Sequence, residues 1–145
     1  MRLAVANDHA GYSLKPYIVE ILQAQGHSVI DCGSNSTDPV DFPDVVRKAC
    51  GEVQSERADR ALLICGTGAG AVMAANKMSG IRCGLGHDPY SAAQCVEHDD
   101  ANALAIGAWL IGPKMAVMNI EAFLNATFDD TEDTRRRVQK LNEMI

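Results

Sequence analysis

The sequence predicts an α/β fold: a Rossmann-like three-layer αβα sandwich built on a five-stranded, mostly parallel sheet. Short apolar runs alternate along the chain with amphipathic stretches, the order typical of parallel strands joined by helices. One run, Ala61–Cys65, is apolar at every position, as expected for a central strand covered on both faces. The chain has 145 residues without a linker or repeat, so we predict one domain over residues 1–145.

Each element follows from its local pattern. Apolar residues recur at helical spacing from Leu14 to Leu22, and Gly26 ends this first helix. Asp88 and Pro89 indicate a helix start, with a capping side chain and proline at the first helical position. The predicted strands are Leu3–Ala6, Ser28–Cys32, Ala61–Cys65, Arg82–Gly86 and Ala103–Ala108. The other predicted helices are Pro43–Gln54, Ala69–Met78, Pro89–Glu97, Lys114–Ala126 and Thr131–Met144.

The last predicted helix follows an acidic run, Phe128–Asp133, that we expect to cap it. It has few apolar residues for a core element. We therefore expect this helix to pack on a second subunit.

Composition excludes several classes of protein. The formal net charge of −6 argues against non-specific nucleic-acid binding, and no apolar stretch approaches the ~20 residues of a membrane span. A strand begins at Leu3, which leaves no room for a signal peptide, so we expect a cytoplasmic protein. The five cysteines show no C-x-x-C pair and no zinc spacing, so we expect no metal site. We interpret four of them as small buried residues and Cys65 as the exception.

Ligands of open parallel sheets bind beyond the carboxyl ends of the strands, and polar residues cluster around these points of the sequence. We therefore take four segments as the candidate site. They are Asn7–Gly11 after strand one, Gly66–Gly70 after strand three, His87–Asp88 after strand four and His98–Asn102 before strand five.

The glycine-rich stretch that follows Cys65 is the strongest local signal. Glycines here let the backbone turn tightly and point several N–H groups into one concavity, which suits an anion. A helix N-terminus behind the loop is expected to lower the pKa of the Cys65 thiol. The hydroxyl of Thr67 can exchange protons with a substrate oxygen. The alternative is a loop that only turns the chain over a buried cysteine.

Three known loop motifs can be compared with this stretch. A P-loop needs lysine followed by serine or threonine, which is absent, and a cysteine-dependent phosphatase needs arginine where Ala71 stands. A dinucleotide fingerprint matches Gly66, Gly68 and Ala71, and Asp88 lies near the distance expected for a ribose-binding acid. That fingerprint normally follows the first strand rather than the third, so a nucleotide-binding protein is a minor alternative.

The other polar candidates each have a structural alternative. Asp8 and His9 suit a sugar hydroxyl, a ring oxygen or a phosphate, or else form a turn with a helix cap. His98 suits acid–base work near neutral pH, although a lone surface histidine is commoner. Asn102 could equally cap the preceding helix. Arg135–Arg137 bring positive charge to an anion or form a solvated helix face.

Taken together, six segments resemble the ribose-5-phosphate isomerase B family, which also contains galactose-6-phosphate isomerase subunits and allose-6-phosphate isomerases. The resemblance runs from Leu3 to about Leu141. It implies a homodimer or homotetramer with the active site between subunits, a sugar or sugar-phosphate substrate, and chemistry without metal or cofactor. The segments are Asn7–Gly11, Asp41–Asp44, Ile64–Gly68, Ala75–Lys77, Gly80–Arg82 and His98–Asn102.

By position, Cys65 resembles the family's catalytic base, which moves a proton between C2 and C1 through a cis-enediolate. Thr67 would move protons at the substrate oxygens. A branch of the family uses a glutamate six residues after the cysteine position; here that residue is Ala71, so Cys65 is the only base. The backbone N–H groups that would stabilise the enediolate are those of Gly66, Gly68, Ala69 and Gly70.

The remaining roles also come from the resemblance. His98 would help to open the cyclic sugar, with Asp8 assisting at the ring oxygen. His9 and Arg137 match phosphate-binding positions. Asn102 matches a residue that holds the substrate.

Three residues depart from the family's pattern. Trp109 and Asp133 stand where arginines are usual, and Phe42 stands where tyrosine is usual. The residues that would transfer protons are retained. The residues that would contact the distal end of the substrate differ, and neither tryptophan nor aspartate can make the bidentate phosphate contacts of a guanidinium group.

The resemblance implies an aldose–ketose isomerase with ribose 5-phosphate and ribulose 5-phosphate as the default pair. Either Arg135 or Arg136 replaces the missing phosphate-binding arginines, or the substrate is another sugar phosphate, an unphosphorylated sugar or a uronate. A non-catalytic sugar sensor is the alternative of another class.

Overall fold

The computed structural model describes all 145 residues and contains five strands and six helices in the predicted order. The elements are β1 Arg2–Asn7, α1 Lys15–Ala24, β2 Ser28–Asp31, α2 Phe42–Gln54, β3 Arg60–Cys65, α3 Ala69–Ala75, β4 Cys83–Leu85, α4 Pro89–Asp99, β5 Ala103–Gly107, α5 Pro113–Asn125 and α6 Glu132–Asn142.

The strands form one sheet in the order β2-β1-β3-β5-β4, and every pairing is parallel. In the central pair, Ala61 of β3 lies opposite Ala103 of β5, and Cys65 lies opposite Gly107. All strands therefore end at the same side of the sheet, which we call the carboxyl edge, and begin at the opposite side, the amino edge.

Alternate residues of each strand contribute to two separate cores. On one face of the sheet, Leu62 and Ile64 belong to the core that includes residues of α1, α4 and α5. On the other face, Ala61 and Leu63 belong to the core that includes residues of α2 and α3. This division explains why β3 is apolar at successive positions, since both of its faces are covered. The predicted three-layer αβα sandwich is confirmed.

Most element bounds differ from the prediction by one or two residues, and the ends of two helices have identifiable causes. Helix α3 ends at Ala75 rather than Met78, because the Asn76 side chain bonds the backbone of Cys83 through both its oxygen (2.8 Å) and its nitrogen (3.0 Å). Helix α6 is capped by Thr131, a member of the run Phe128–Asp133 that was expected to cap it; its Oγ1 accepts the N–H of Thr134, and Glu132 and Asp133 lie in the first turn.

Helix α6 has a single buried residue, Thr134. This leaves open its predicted packing on a second subunit. None of the six helices combines the length and apolar character that crossing a membrane requires.

Candidate active site at the carboxyl edge

Cys65 lies at the carboxyl end of β3, in the middle of the sheet. Its side chain is half-buried, and its carbonyl oxygen accepts the Ala108 N–H at 2.8 Å. The backbone N–H groups of Gly66 and Gly68 are close enough to favour the thiolate.

The net effect on the thiol is nevertheless opposite to the one expected from the sequence. Burial raises the pKa of Cys65 above its ordinary value, and the nearby Asp8 carboxylate raises it further. The amides of Gly68 and Gly66 lower the pKa but do not outweigh these two effects. The predicted lowering was wrong because it considered only the helix N-terminus. Desolvation and a neighbouring negative charge both penalise the thiolate.

Asp8 is held beside Cys65 by close packing between the loop after β1 and the end of β3. Its backbone N–H donates to the Ile64 carbonyl at 3.2 Å, and its Oδ1 accepts from the N–H groups of Ala10 (2.9 Å) and Gly11 (3.0 Å). A Cβ on Gly11 would lie only 2.1 Å from the Ile64 oxygen, so glycine is required for this approach. Asp8 therefore makes the turn that the sequence offered as the alternative, and it also faces the thiol.

His9 and Thr67 offer one hydrogen-bond donor each. Nδ1 of His9 accepts the Val40 N–H at 3.3 Å, so a neutral ring carries its hydrogen on Nε2. The exposed Thr67 side chain accepts the Ala69 N–H at 3.3 Å, which leaves its hydroxyl hydrogen free to donate. Both residues can therefore address the oxygens of a bound molecule.

Two aromatic rings flank the glycine-rich loop. A Cβ on Gly66 would lie 2.8 Å from two ring carbons of Trp109, and one on Gly70 would lie 2.9 Å from the ring of Phe42. The sequence drew attention to these aromatic residues only as departures from a family pattern. Glycines spaced four apart after a central strand were the available signal that something packs against the loop.

His98 and Asn102 lie at the other side of the sheet from Cys65. His98 is exposed in the last turn of α4, and Asn102 immediately precedes β5. The register places the start of β5 opposite Ala61, four residues before Cys65, which is roughly 13 Å at the usual rise of a strand. Grouping these residues with the carboxyl-edge loops was wrong for a single chain, because residues that precede a strand lie at its amino end.

Both polar atoms of the Asn102 side chain are already engaged. Its Oδ1 accepts the Arg82 N–H at 2.9 Å, and its Nδ2 donates to the Gly80 carbonyl at 2.8 Å. These bonds attach the turn before β4 to the start of β5. Asn102 is therefore placed to support the backbone.

Arg137 also lies away from Cys65, because α6 is attached near the amino edge. The segment before α6 is joined to α4 by the Asp129 N–H, which donates to the Glu97 carbonyl at 2.8 Å. At the C-terminal end of α6, the side-chain oxygen of Asn142 accepts from the guanidinium of Arg82 at 3.2 Å.

The arginines of α6 face acidic neighbours. Arg135 pairs with Asp130 at 2.8 Å, Arg136 with Asp133 at 2.8 Å, and Arg137 with Asp133 at 3.8 Å.

Within one chain, little space is present directly between Cys65 and Asp8. The cavity that Cys65 and Asp8 line has a volume of about 10 Å³, room for about one water molecule. A cavity of about 410 Å³ lies beside the glycine-rich loop and is lined by Phe42, Gly70, Arg47 and Lys77. A groove of similar volume, about 410 Å³, lies at the amino edge between the C-terminal residues and Arg82. No group of three or more His, Cys, Asp or Glu side chains is arranged to hold a metal ion.

The amino-acid sequence of this chain is similar to those of known proteins. A family model described as Ribose/Galactose Isomerase matches residues 3–141. Ribose-5-phosphate isomerase B of Escherichia coli is 37% identical over 135 residues, which cover 93% of this chain and 91% of that protein.

Solved structures give the same likeness for the backbone. Ribose-5-phosphate isomerase B of Clostridium thermocellum superimposes with a TM-score of 0.96 at 38% identity, covering 99% of this chain and 97% of that one. A ribose 5-phosphate isomerase from Thermotoga maritima superimposes with a TM-score of 0.95 at 37% identity, covering 98% and 97%. The similarity thus spans nearly the whole chain in both sequence and fold.

Proposed function

The chain belongs to the ribose/galactose isomerase family, and from this we propose that it interconverts an aldose and its ketose through a cis-enediolate, with Cys65 as the base. Membership confirms the resemblance seen in the sequence, and it makes the chain an isomerase rather than a nucleotide-binding or sugar-sensing protein. The observation that supports the assignment of the base is the position of Cys65 at the carboxyl end of β3, directly before the glycine-rich loop.

The proposed reaction moves one proton between two carbons. The Cys65 thiolate takes the proton from C2 of the open-chain aldose, and the electrons of that bond form the C1–C2 double bond as O1 becomes negative. The resulting thiol returns the proton to C1, and O2 loses its proton to become the ketone oxygen. Thr67, whose hydroxyl hydrogen is free, moves the proton between the two oxygens.

The glycine-rich loop stabilises the charge that develops on the oxygens. We assign this role to the backbone N–H groups of Gly66, Gly68, Ala69 and Gly70. The Ala69 amide is bonded to Thr67 in the free protein and must exchange partners. Donors of this kind are each worth about 3 kcal/mol of the barrier when they are aimed at the developing charge.

We propose that two copies of the chain complete each site. Asp8 and His9 lie at the same edge as Cys65, whereas His98, Asn102 and Arg137 do not. A second copy would bring its His98 to the Cys65 of the first, where it opens the cyclic sugar with Asp8. The partner's Arg137 would contact the distal end of the substrate together with His9 of the first copy. In each copy, Asn102 would support the backbone of its own chain and would not bind the sugar itself.

Exposed apolar residues support this pairing. Trp109 is 71% exposed and Leu110 is 58% exposed at the carboxyl edge, and Met144 is 80% exposed after α6. Such side chains are commonly covered in an oligomer. A homodimer or homotetramer with the active site between subunits accounts for both the divided residues and the exposed surface.

Ribose 5-phosphate and ribulose 5-phosphate are the reference substrate pair, because the relatives described above act on ribose 5-phosphate by name. A second candidate is an aldose without the usual phosphate, another sugar phosphate or a uronate. The observations that favour this candidate are Trp109 against the glycine-rich loop and Asp133 beside Arg136 and Arg137.

We further propose a cytoplasmic location. All five cysteines are free thiols, which suits a reducing compartment.

The base assignment is tested by Cys65→Ala, with Cys32→Ala as the matched control. Both cysteines are half-buried, and burial raises the pKa of each thiol. We expect Cys65→Ala to abolish deuterium exchange from heavy water into ribose 5-phosphate, followed by NMR, with the circular dichroism spectrum unchanged. Cys32→Ala should exchange like the unaltered protein. Persistent exchange in Cys65→Ala would refute the base.

A further inference from the structure

His87 lies at the carboxyl edge of the sheet, two residues after the end of β4, and the proposed reaction gives it no role. The residue before it is fixed on both sides. The Gly86 N–H donates to the Ala105 carbonyl at 2.8 Å, and the Gly86 carbonyl accepts from the fully buried Asn119 side chain at 2.9 Å. The imidazole of His87 therefore projects from a well-defined strand end.

The Nε2 atom of His87 is buried and has no hydrogen-bond partner. The adjacent Asp88 carboxylate is engaged elsewhere, because it caps α4 and accepts the Ser91 N–H at 2.8 Å and the Ser91 hydroxyl at 2.5 Å. Leaving a buried polar atom without a partner costs free energy, so such atoms are rare in folded proteins.

The Thr67 carbonyl oxygen borders the same small space as this nitrogen. A Cβ on Gly107 would lie 2.7 Å from the Thr67 oxygen and 3.0 Å from His87 Nε2, so glycine at position 107 keeps the space between the two groups open. The Thr67 oxygen accepts no backbone N–H. Because the group across this space is an acceptor, the hydrogen of a neutral His87 ring is favoured on Nε2 rather than on Nδ1.

The peptide group that contains the Thr67 carbonyl also carries the Gly68 N–H. The chain has no cis peptide bond, and in a trans peptide the carbonyl and the N–H point in opposite directions. The oxygen faces Gly107 and His87, whereas the Gly68 N–H is close enough to Cys65 to favour its thiolate. A donor at the carbonyl oxygen polarises the peptide and makes its N–H a stronger donor, since linked hydrogen bonds strengthen one another.

We propose that His87 is a positioning residue, whose Nε2–H donates to the Thr67 carbonyl when a substrate is bound and so strengthens the Gly68 N–H as a donor to the Cys65 thiolate. The bond forms at that stage because the Ala69 amide then leaves the Thr67 hydroxyl and frees the Thr67 peptide to turn toward His87. This proposal rests on the isomerase reaction proposed above and adds to it a residue that acts from behind the glycine-rich loop.

The experiment measures isomerisation of ribose 5-phosphate by the full-length protein and by two variants at position 87. His87→Leu removes the donor, so kcat should fall about fivefold, the effect of one hydrogen bond, while KM changes by less than about twofold. The midpoint of the pH profile of kcat should rise by about half a unit, because the Cys65 thiolate of the complex loses support. His87→Gln keeps an N–H donor the same number of bonds from the backbone and should restore both values.

His27→Leu provides the matched control. His27 is half-buried like His87, but it precedes β2 at the amino edge, where its Nδ1 lies 3.3 Å from the N-terminal amine. Its kcat and the pH profile of kcat should equal those of the unaltered protein.

Nitrogen-15 NMR of the unaltered protein provides a second measurement that does not depend on the folding of any variant. The His87 ring should carry its hydrogen on Nε2, and the resonance of this hydrogen should move downfield when ribose 5-phosphate is added.

Three results would overturn the proposal. The first is a His87→Leu protein with an unchanged kcat and pH profile, and the second is a His87 ring that carries its hydrogen on Nδ1 in the presence of the sugar. The third is an equal loss of kcat in His87→Leu and His87→Gln with an unchanged pH midpoint, which would make the ring merely structural. An unaltered protein that exchanges no proton with any aldose would instead contradict the isomerase reaction itself, so the two failures are distinguishable.

Discussion

The thiol of Cys65 has two groups of neighbours with opposite effects. Burial and the Asp8 carboxylate raise its pKa, and the amides of Gly68 and Gly66 lower it, with a net increase. A base with a raised pKa is mostly protonated at neutral pH, so its thiolate fraction grows as the pH rises. In the proposed reaction, the amides have a second role, because they stabilise the enediolate oxygens once the proton has moved.

Replacing Asp8 by asparagine should lower the pKa of Cys65, because the negative charge is removed while the Oδ1 acceptor for Ala10 and Gly11 is kept. The measurement is the rate of alkylation of Cys65 by iodoacetamide between pH 6 and pH 10, followed by mass spectrometry. The midpoint should move to lower pH, toward the ordinary thiol value of about 8.5. Cys50 is the internal control, since burial raises its pKa to about 12 and it should stay unmodified. An unchanged or higher midpoint would contradict the role of Asp8.

At the scale of the element, the sequence was sufficient to predict the fold. All five strands and six helices occur in the predicted order, because hydrophobic periodicity reports directly which face of each element is buried. The bounds were less accurate where a side chain ends an element. Asn76 bonds the backbone of Cys83, seven residues away, and no periodic pattern signals such a contact.

Two glycines with opposite surroundings test how the elements pack. Gly11→Ala should lower the free energy of unfolding by at least about 3 kcal/mol, because its Cβ would lie 2.1 Å from the Ile64 carbonyl. Gly51→Ala, inside α2 with nothing within 4 Å of the added Cβ, should raise it by about 1 kcal/mol. Urea denaturation followed by circular dichroism measures both. Similar stabilities for the two variants would contradict this account of the loop after β1.

At the scale of the whole molecule, the candidate site residues divide between the two edges of the sheet. The carboxyl-edge members could be predicted from the sequence, since Asp8 directly follows β1 and Cys65 is the last residue of β3. The place of His98 in the site could not be predicted in this way. His98 lies at the C-terminal end of a helix, and that end is at the amino edge, opposite the residues that follow a strand. Which surfaces of two chains meet depends on the shape of the folded protein, and no local pattern of residues states it.

A mixture of two inactive variants tests whether the site is shared. We expect Cys65→Ala and His98→Ala each to lose activity alone. In a dimer with shared sites, subunits that are unfolded and refolded together should recover about a quarter of the full activity. This follows because half of the dimers are mixed, and each mixed dimer has one intact site. Deuterium exchange into ribose 5-phosphate provides the assay. The variants refolded separately and then assayed together serve as the control. No recovery in the co-refolded sample would contradict a site built from two chains.

The contact between Trp109 and Gly66 has a practical consequence. Trp109 is the only tryptophan of the chain, so the intrinsic ultraviolet emission of the protein comes mainly from a single ring next to Cys65. A sugar bound above the loop, as in the proposed reaction, would change the polarity around that ring and shift the emission maximum. Trp109 would then serve as an optical probe of binding, even for sugars that are never turned over.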